Sequence, residues 1–471
     1  MKMLKKFVGD KAFYKLVFAV ALPIILQNGI MNFVNLLDNI MVGSLSSAEF
    51  SAVAISNQII FVYNLSLFGI VSGAGIFSAQ FFGKGDNKGV RDTMRIKLVI
   101  SLVFTALAVA VLLIFGKELI SLWLNDTDPE KAAEMAITLQ EGYKYIQIIV
   151  IGFIPSAVAI SYVDTLRSTG ETMLPMKASA SALFVNLFFN WLFIFPHWGM
   201  FGWGVSGAAI ATVIAKFVEC GVVVIISHRN TAKYPFVKGV YKRFTLPAAL
   251  VRKVMVTGLP LMLNETLWGL GMAALNQGYS IRGTEAVNGI AISSTIINMF
   301  NIVMMAIGSS VGIIVGKILG AGDMKKARDY DNKLIAFSTA ISAVVGVIVI
   351  ITAPLFTVFY NVDADTAATA VGFMRISGFF MPLHGFLHSS YFTLRSGGKT
   401  GITFLFDAGY MWLIGVPLNF VIGRFTDIPV LPFYFLVGCA DLIKCAVGFV
   451  LVKKGVWLKN IVENKEISAA E

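Results

Sequence analysis

Twelve stretches of this chain are apolar for roughly 20 residues or more, the length a helix needs to cross a bilayer. They fall at about 16–41, 51–82, 98–116, 136–164, 174–196, 204–227, 251–278, 286–318, 334–360, 368–394, 402–423 and 430–452. This pattern predicts an all-α membrane protein. The composition agrees: of 471 residues, 57% are hydrophobic and 14% charged, and the mean hydropathy of +0.77 excludes a soluble globular fold. The 43 glycines suit close helix packing in lipid. The basic start followed by an apolar run superficially resembles a signal peptide. The run is too long for one, and no A-x-A-like site closes it, so it reads as a retained first span. Cys220, Cys439 and Cys445 all lie in apolar runs, so no disulfide framework is expected.

The net charge of +11 invites a nucleic-acid reading, but its distribution points elsewhere. With the N-terminus placed in the cytoplasm, thirty of the 38 Lys and Arg residues fall in cytoplasmic segments, five on the opposite side and three within spans. That bias is the positive-inside pattern. It predicts a multi-pass protein with both termini in the cytoplasm. The acidic loop NDTDPEKAAE (125–134) falls on the external side.

The chain also repeats. A shift of 237 residues carries LP (22–23) onto LP (259–260), AIS (54–56) onto AIS (291–293), Asn64 onto Asn301, and GKGDNKGVRD (83–92) onto GAGDMKKARD (320–329). A shift of 228 carries TLRSTGET (165–172) onto TLRSGGKT (393–400) and Lys216 onto Lys444. The expected organisation is an N-terminal six-helix bundle over 1–227, a basic cytoplasmic linker over 228–250, a C-terminal six-helix bundle over 251–453 and a cytoplasmic tail over 454–471. An even number of helices per half makes the halves parallel repeats, an arrangement typical of transporters with a substrate site between the halves.

Against this background the polar residues inside the spans stand out. Asp38, in LLDNIMVG (36–43), closes an apolar run, since residues 16–37 carry no charge. A carboxylate deep in a bilayer costs about 2.5–3.5 kcal/mol on insertion scales, so it is expected to face an interior cavity, where it can take up and release a proton. The alternative is an aspartate at a helix end in the headgroup region. Asn186 and Asn190 are four residues apart and share a helix face, suited either to oxygen ligation of a hard cation or to interhelical hydrogen bonding. Glu265 is a second intramembrane acid, for which pairing with a nearby polar group is the plainer reading. His384 and His388 also share a face; they are either packing histidines or groups that titrate near neutral pH. Two histidines at this spacing do not complete a metal set, so no metal and no cofactor are expected. Lys216 with Glu219, and Lys444 with Asp441, have the i, i+3 spacing of neutralising pairs. GKGDNKGVRD lacks the phosphate-loop pattern, as does GSSVGIIVGK (308–317). Its glycines turn the chain, and Asp86 is placed to cap the following helix. Nothing here suggests an enzyme or an ATP-driven pump.

LP followed fifteen residues later by D-N-I-M-V-G, then G-x-G-D after the second span, and T-L-R-S-x-G-x-T after the fourth and tenth spans are carried on twelve spans in duplicate. Together these features resemble the multidrug and toxic compound extrusion (MATE) family over essentially the whole chain. The resemblance implies a V-shaped pair of bundles in a 6+6 parallel repeat, and cation-coupled efflux of organic, often cationic, compounds by H⁺ or Na⁺ antiport. It assigns Asp38 to the family's first-helix acid in its D-x-x-M-x-G context. It joins that acid with Asn186, Asn190 and a sixth-helix threonine, Thr212, in a cation site. Where some members have an acid this chain has Asn190, so one negative charge is missing. Glu265 corresponds to a seventh-helix glutamate, displaced by about one turn toward Pro260, with Trp268 at the later position. His384 stands where some sodium-coupled members carry an aspartate. Asn35, Asn57, Trp268 and His388 are candidates for the substrate cavity. The expected partners are small organic cations and the bilayer, with no nucleic acid, for a monomer. A lipid-linked-saccharide or lipid flippase of the same superfamily is the alternative. A non-transporting receptor or scaffold would need a soluble domain, and the longest internal loop is short.

Overall fold

The apolar runs become helices, most of which extend past the apolar stretch at one or both ends. The structure is a computed structural model that describes residues 7–124, 132–197, 200–242, 246–358, 360 and 362–463. Among the described residues lie twelve long helices. In the first half these are α1 (Lys11–Gly43), α2 (Ser47–Lys84), α3 (Asn87–Ser121), α4 (Ala132–Ser168), α5 (Met173–Ile194) and α6 (Gly204–Arg229). In the second half they are α7 (Ala248–Ser280), α8 (Thr284–Gly320), α9 (Met324–Thr357), α10 (Ala364–Ser396), α11 (Thr400–Phe425) and α12 (Val430–Lys454). Eleven are long and apolar enough to cross a membrane by length and composition. The exception is α7, 33 residues long, whose polar run Asn264, Glu265 and Thr266 dilutes its apolar character. Among the described residues a two-residue antiparallel ladder, β1 (Pro196–His197) with β2 (Met200–Phe201), departs from the all-α expectation. Most of the acidic loop at 125–134 lies outside the described residues.

Irregularities occur where the sequence supplies a cause. α4 passes through a 3-10 turn, Val150–Gly152, just before Pro155, which cannot donate to the helical ladder. α1, α7, α9 and α10 carry Pro23, Pro260, Pro354 and Pro382 within their lengths, as helices buried in lipid and protein tolerate. α11 contains two π-helical stretches, Leu405–Gly409 and Met411–Gly415.

The chain forms two compact units. One comprises residues 1–25, 79–86 and 256–471, the other residues 26–78 and 87–255. The second unit is built around Tyr63, which stacks on Phe153 with ring centroids 4.1 Å apart, with Leu67, Ile146 and Ile149 packed nearby. In the first unit, Phe13, Val17 and Ile24 of α1 pack with Val311, Leu394 and Trp457, and Trp457 is 1% exposed.

The repeated G-x-G-D motif is explained by geometry. Gly85 and Gly322 adopt φ of +83° and +81°, the left-handed conformation that turns the chain between helices. Asp323 caps α9 by accepting from the Lys326 amide at 2.9 Å. The first glycine of each motif serves close packing within the first unit: a Cβ on Gly83 would overlap the Lys317 carbonyl, and one on Gly320 would overlap that of Gln80. The segment after α6 folds back on the second unit, where Arg95 donates to the carbonyls of Gly239 (2.8 Å), Val240 (2.8 Å) and Lys242 (2.6 Å). The segment after α12 does the same in the first unit, where Gln80 donates to the Lys459 carbonyl (3.2 Å) and accepts from the Ile461 amide (2.8 Å).

Candidate functional site

The second unit gathers four of the predicted site residues. Asn186 and Asn190 face the same way because they are one turn apart on α5, and both are buried, at 6% and 1% exposure. Asn190 Nδ2 donates to Asp38 Oδ1 at 2.5 Å and lies 3.2 Å from Asn186 Oδ1. Asn186 Nδ2 lies 3.3 Å from Thr212 Oγ1 on α6. The amide of Asn186 has a second orientation, in which its nitrogen stands 2.9 and 3.1 Å from the two Asp38 oxygens. In either orientation one carboxylate and two amides meet across α1 and α5, with the Thr212 hydroxyl of α6 beside them. Asn57 is exposed and accepts from Tyr145 at 3.4 Å, and Tyr145 is a buried hydroxyl that the sequence pattern does not single out. The side chain of Asn35 lies outside the described residues.

Such a cluster supplies one ionisable oxygen pair, amide oxygens and a hydroxyl. It can hold a proton on Asp38, or present oxygen ligands to a hard monovalent cation. In the same unit, Lys216 pairs with Glu219 at 3.2 Å as the spacing predicts. Ser179 donates to Glu219 at 2.8 Å, Gln27 donates to Ser179 at 2.6 Å, and Arg167 donates to Gln27 at 2.5 Å.

The first unit holds Glu265, His384, His388 and Trp268, but distributes them. Glu265 accepts from Tyr391 at 2.9 Å. His384 faces Asp441 at 3.2 Å. No hydrogen bond joins Glu265 to His384 among the described residues. His388 is half-buried, and Trp268 is 37% exposed.

The Lys444–Asp441 pair read from the i, i+3 spacing does not form. Lys444 reaches instead to Asp407 Oδ1 at 2.7 Å, while Asn264 donates to Asp407 Oδ2 at 3.0 Å. The cause lies in α11, where the π-helical stretch Leu405–Gly409 changes the angular register and aims Asp407 at α12. Asp407 is the residue that the sequence reading missed. The signal was present in two forms: it is an acid inside the eleventh apolar run, and the 228-residue shift pairs it with Ser179. The same shift pairs Lys444 with Lys216 and Arg395 with Arg167, and the 237-residue shift pairs Asn264 with Gln27. Each half thus builds a lysine–acid pair beside a first-helix amide. The acid comes from the sixth helix in one half and the fifth in the other.

No group of three or more His, Cys, Asp or Glu side chains placed to hold a metal occurs among the described residues. A cavity of about 740 Å³ opens among α3, α4 and α6, lined by Val109, Leu113, Ile151, Phe217 and Cys220; its lining includes none of the Asp38 cluster.

Comparison with known proteins converges on one family. The MatE family model matches residues 23–192 and again 260–421, once in each half. Among curated relatives, the probable multidrug resistance protein NorM of Thermotoga maritima is 22% identical over 456 residues, covering 95% of this chain and 93% of that protein. The protein of the same name from Bacillus licheniformis is 23% identical, covering 87% and 88%. Among solved structures, the outward-facing conformation of a multidrug resistance MATE family transporter of the MOP superfamily superimposes with a TM-score of 0.83 at 17% identity, covering 96% of this chain and 98% of that one. A MOP superfamily transporter from Pyrococcus furiosus, described as having a binding pocket of reverse polarity, superimposes with a TM-score of 0.82 at 17% identity, covering 96% of this chain and 98% of that one. The duplicated match over most of the chain, on twelve helices of this topology, shows that the protein is a multi-span membrane transporter, not an enzyme, and belongs to the MatE family.

Proposed function

We propose that the protein is a secondary antiporter that exports organic, amphiphilic cations in exchange for H⁺ or Na⁺. The observation that carries this reading is the meeting of Asp38 with Asn186, Asn190 and Thr212 within one unit. A carboxylate held by amides inside a helical membrane body is an ion-exchange group: it carries charge in one state and a bound cation or proton in the other. Coupling requires that ion and cargo favour different conformations, so that binding one shifts the population that holds the other. The matched relatives named as multidrug resistance proteins support organic compounds as cargo. Glu265, His384, His388, Asn57 and Trp268 serve as secondary coupling and cargo-contacting groups. The two six-helix halves, 1–227 and 251–453, supply the transport pathway, and the thirty-to-five basic bias supports both termini lying in the cytoplasm of a bacterial inner membrane.

The test is ethidium flux into proteoliposomes of the purified protein under separately imposed pH and Na⁺ gradients. Flux driven by one of the gradients, and collapsing with it, is expected. Equal flux with and without both gradients would remove the antiport reading.

A further inference from the structure

We infer that Asp331 on α9, with Thr393 and Ser389 on α10, forms a proton-binding site in the C-terminal half, separate from the Asp38 cluster and from Glu265. Thr393 Oγ1 lies 2.5 Å from Asp331 Oδ1 and 2.9 Å from the Ser389 carbonyl oxygen. A threonine hydroxyl has one hydrogen to give. Both the Ser389 carbonyl and an ionised Asp331 would be acceptors, and one hydrogen cannot serve both. A protonated Asp331 supplies the second hydrogen and satisfies both contacts.

The other half of the molecule supplies the control. There the 228-residue shift turns Thr393 into Thr165 and Ser389 into Ser161. Thr165 donates to the Ser161 carbonyl at 2.7 Å, the same bond as in the C-terminal half. Its remaining partner is Lys97 Nζ at 3.1 Å, an obligatory donor. The neighbouring bond repeats as well: Ser101 donates to the Ala157 carbonyl and Ser338 to that of Gly385, both at 3.2 Å, and these pairs are related by the same two shifts. With Asp331 protonated, the threonine receives a hydrogen in each half, from a lysine in one and from the carboxylic acid in the other. Lys97 corresponds to Leu334, one turn along α9 from Asp331.

Charge gives the same answer. Asp331 is 1% exposed, and Thr393 is 0% exposed. In the N-terminal half Lys97 is neutralised by Asp164 at 2.6 Å. The 228-residue shift replaces Asp164 by Phe392, and Asp331 has no ion-pair partner among the described residues. No charged group on the elements around it pairs with Asp331 among the described residues, and several are engaged elsewhere. On α9 itself Lys333 pairs with Asp329 at 2.6 Å. On α10 the Arg395 guanidinium lies over the Phe392 ring, Tyr391 bonds Glu265 and His384 faces Asp441. On α8 Lys317 lies over the Phe82 ring, and on α12 Lys444 pairs with Asp407. Asp331 Oδ2 has no hydrogen-bond partner among the described residues. A neutral carbonyl tolerates that position far better than a bare anionic oxygen. Releasing the proton would leave an unpaired charge between α9 and α10, so the site exchanges its proton only when those helices part.

The experiment is infrared spectroscopy of the full-length protein in lipid nanodiscs at neutral pH. Wild type minus Asp331→Asn is expected to show the loss of one carbonyl stretch of a protonated carboxylic acid, a band that shifts in D₂O. Thr393→Val is expected to keep the band but displace it upward, because the acid has lost its acceptor. Loss of a carboxylate stretch instead, with the protonated-acid region unchanged in Asp331→Asn, would overturn the inference. Should Asp331→Asn fail to fold, the Thr393→Val comparison decides alone: a displaced band supports the site, and superimposable protonated-acid regions refute it.

Discussion

Two amides rather than a second acid surround Asp38, and that choice sets how the site responds to substitution. A hydrogen bond to a charged group is worth about 1.5–3 kcal/mol when its partner is lost. Removing the Asn190 amide, which donates to Asp38 at 2.5 Å, therefore weakens whichever state carries the charge. Asn190→Ala is expected to shift the ion dependence of efflux by about tenfold or more, since each 1.4 kcal/mol is a decade. Titrating flux against the driving ion checks it. Lys444 and Asp407 respond differently, because both side chains are largely buried and face each other at 2.7 Å. Lys444→Ala strands the Asp407 charge, and breaking a buried pair on one side costs about 3–5 kcal/mol. The double variant Lys444→Met with Asp407→Leu is expected to recover most of that loss. Thermal melts in detergent distinguish the two. Asp38 was legible in the sequence because a single acid interrupts an apolar run. The partner of Lys444 was not, because an i, i+3 spacing says nothing about a π-helical stretch on another helix.

At the scale of elements, the ends of helices are where the pattern and the structure part. Sequence hydropathy begins the ninth span at about 334, where the charges stop, yet α9 begins at Met324 and carries Asp331 inside the bundle. Hydropathy reports which residues tolerate lipid, whereas helix ends follow caps and turn glycines, here Asp323 and Gly322. The G-x-G-D glycines make an element-level prediction. Gly320→Ala puts a Cβ into the Gln80 carbonyl and forces the backbones apart, at a cost of about 1–3 kcal/mol. Gly401→Ala, where a Cβ meets nothing within 4 Å, is the control. Melting temperatures report both. The start of α5 makes another. Glu171 accepts from the Met173 and Leu174 amides, both at 3.1 Å, and is paired with Lys233. Burial pushes the Glu171 carboxyl up, but Lys233 and the Leu174 amide outweigh it and hold it below the ordinary glutamate value. A depressed carboxyl stabilises the fold above its unfolded value, and that contribution disappears as pH falls through the folded one. Lys233 is mostly exposed, so the pair itself is worth under about 1 kcal/mol. Glu171→Gln is expected to lower the melting temperature slightly at pH 7 and to converge with wild type as the medium is acidified.

At the scale of the molecule, the duplication was legible because the two shifts hold without gaps across whole motifs. The structure extends them to hydrogen bonds, as in Ser101 to Ala157 and Ser338 to Gly385. What the repeat conserves is the frame, and what it varies is charge: Lys97 and Asp164 in one half, Asp331 alone in the other. That asymmetry could not be read from motifs, since it depends on which side chains meet across helices. The halves therefore share an architecture and a lysine–acid pair but not the Asp38 cluster, and the exchange of ion for cargo is assigned to Asp38. The most direct test is gradient-driven ethidium transport by Asp38→Asn in proteoliposomes, with a thermal melt to establish that the variant is folded. The expected result is a folded protein whose flux no longer responds to the gradient. A folded Asp38→Asn variant that transports at the native rate under the same gradient would contradict it.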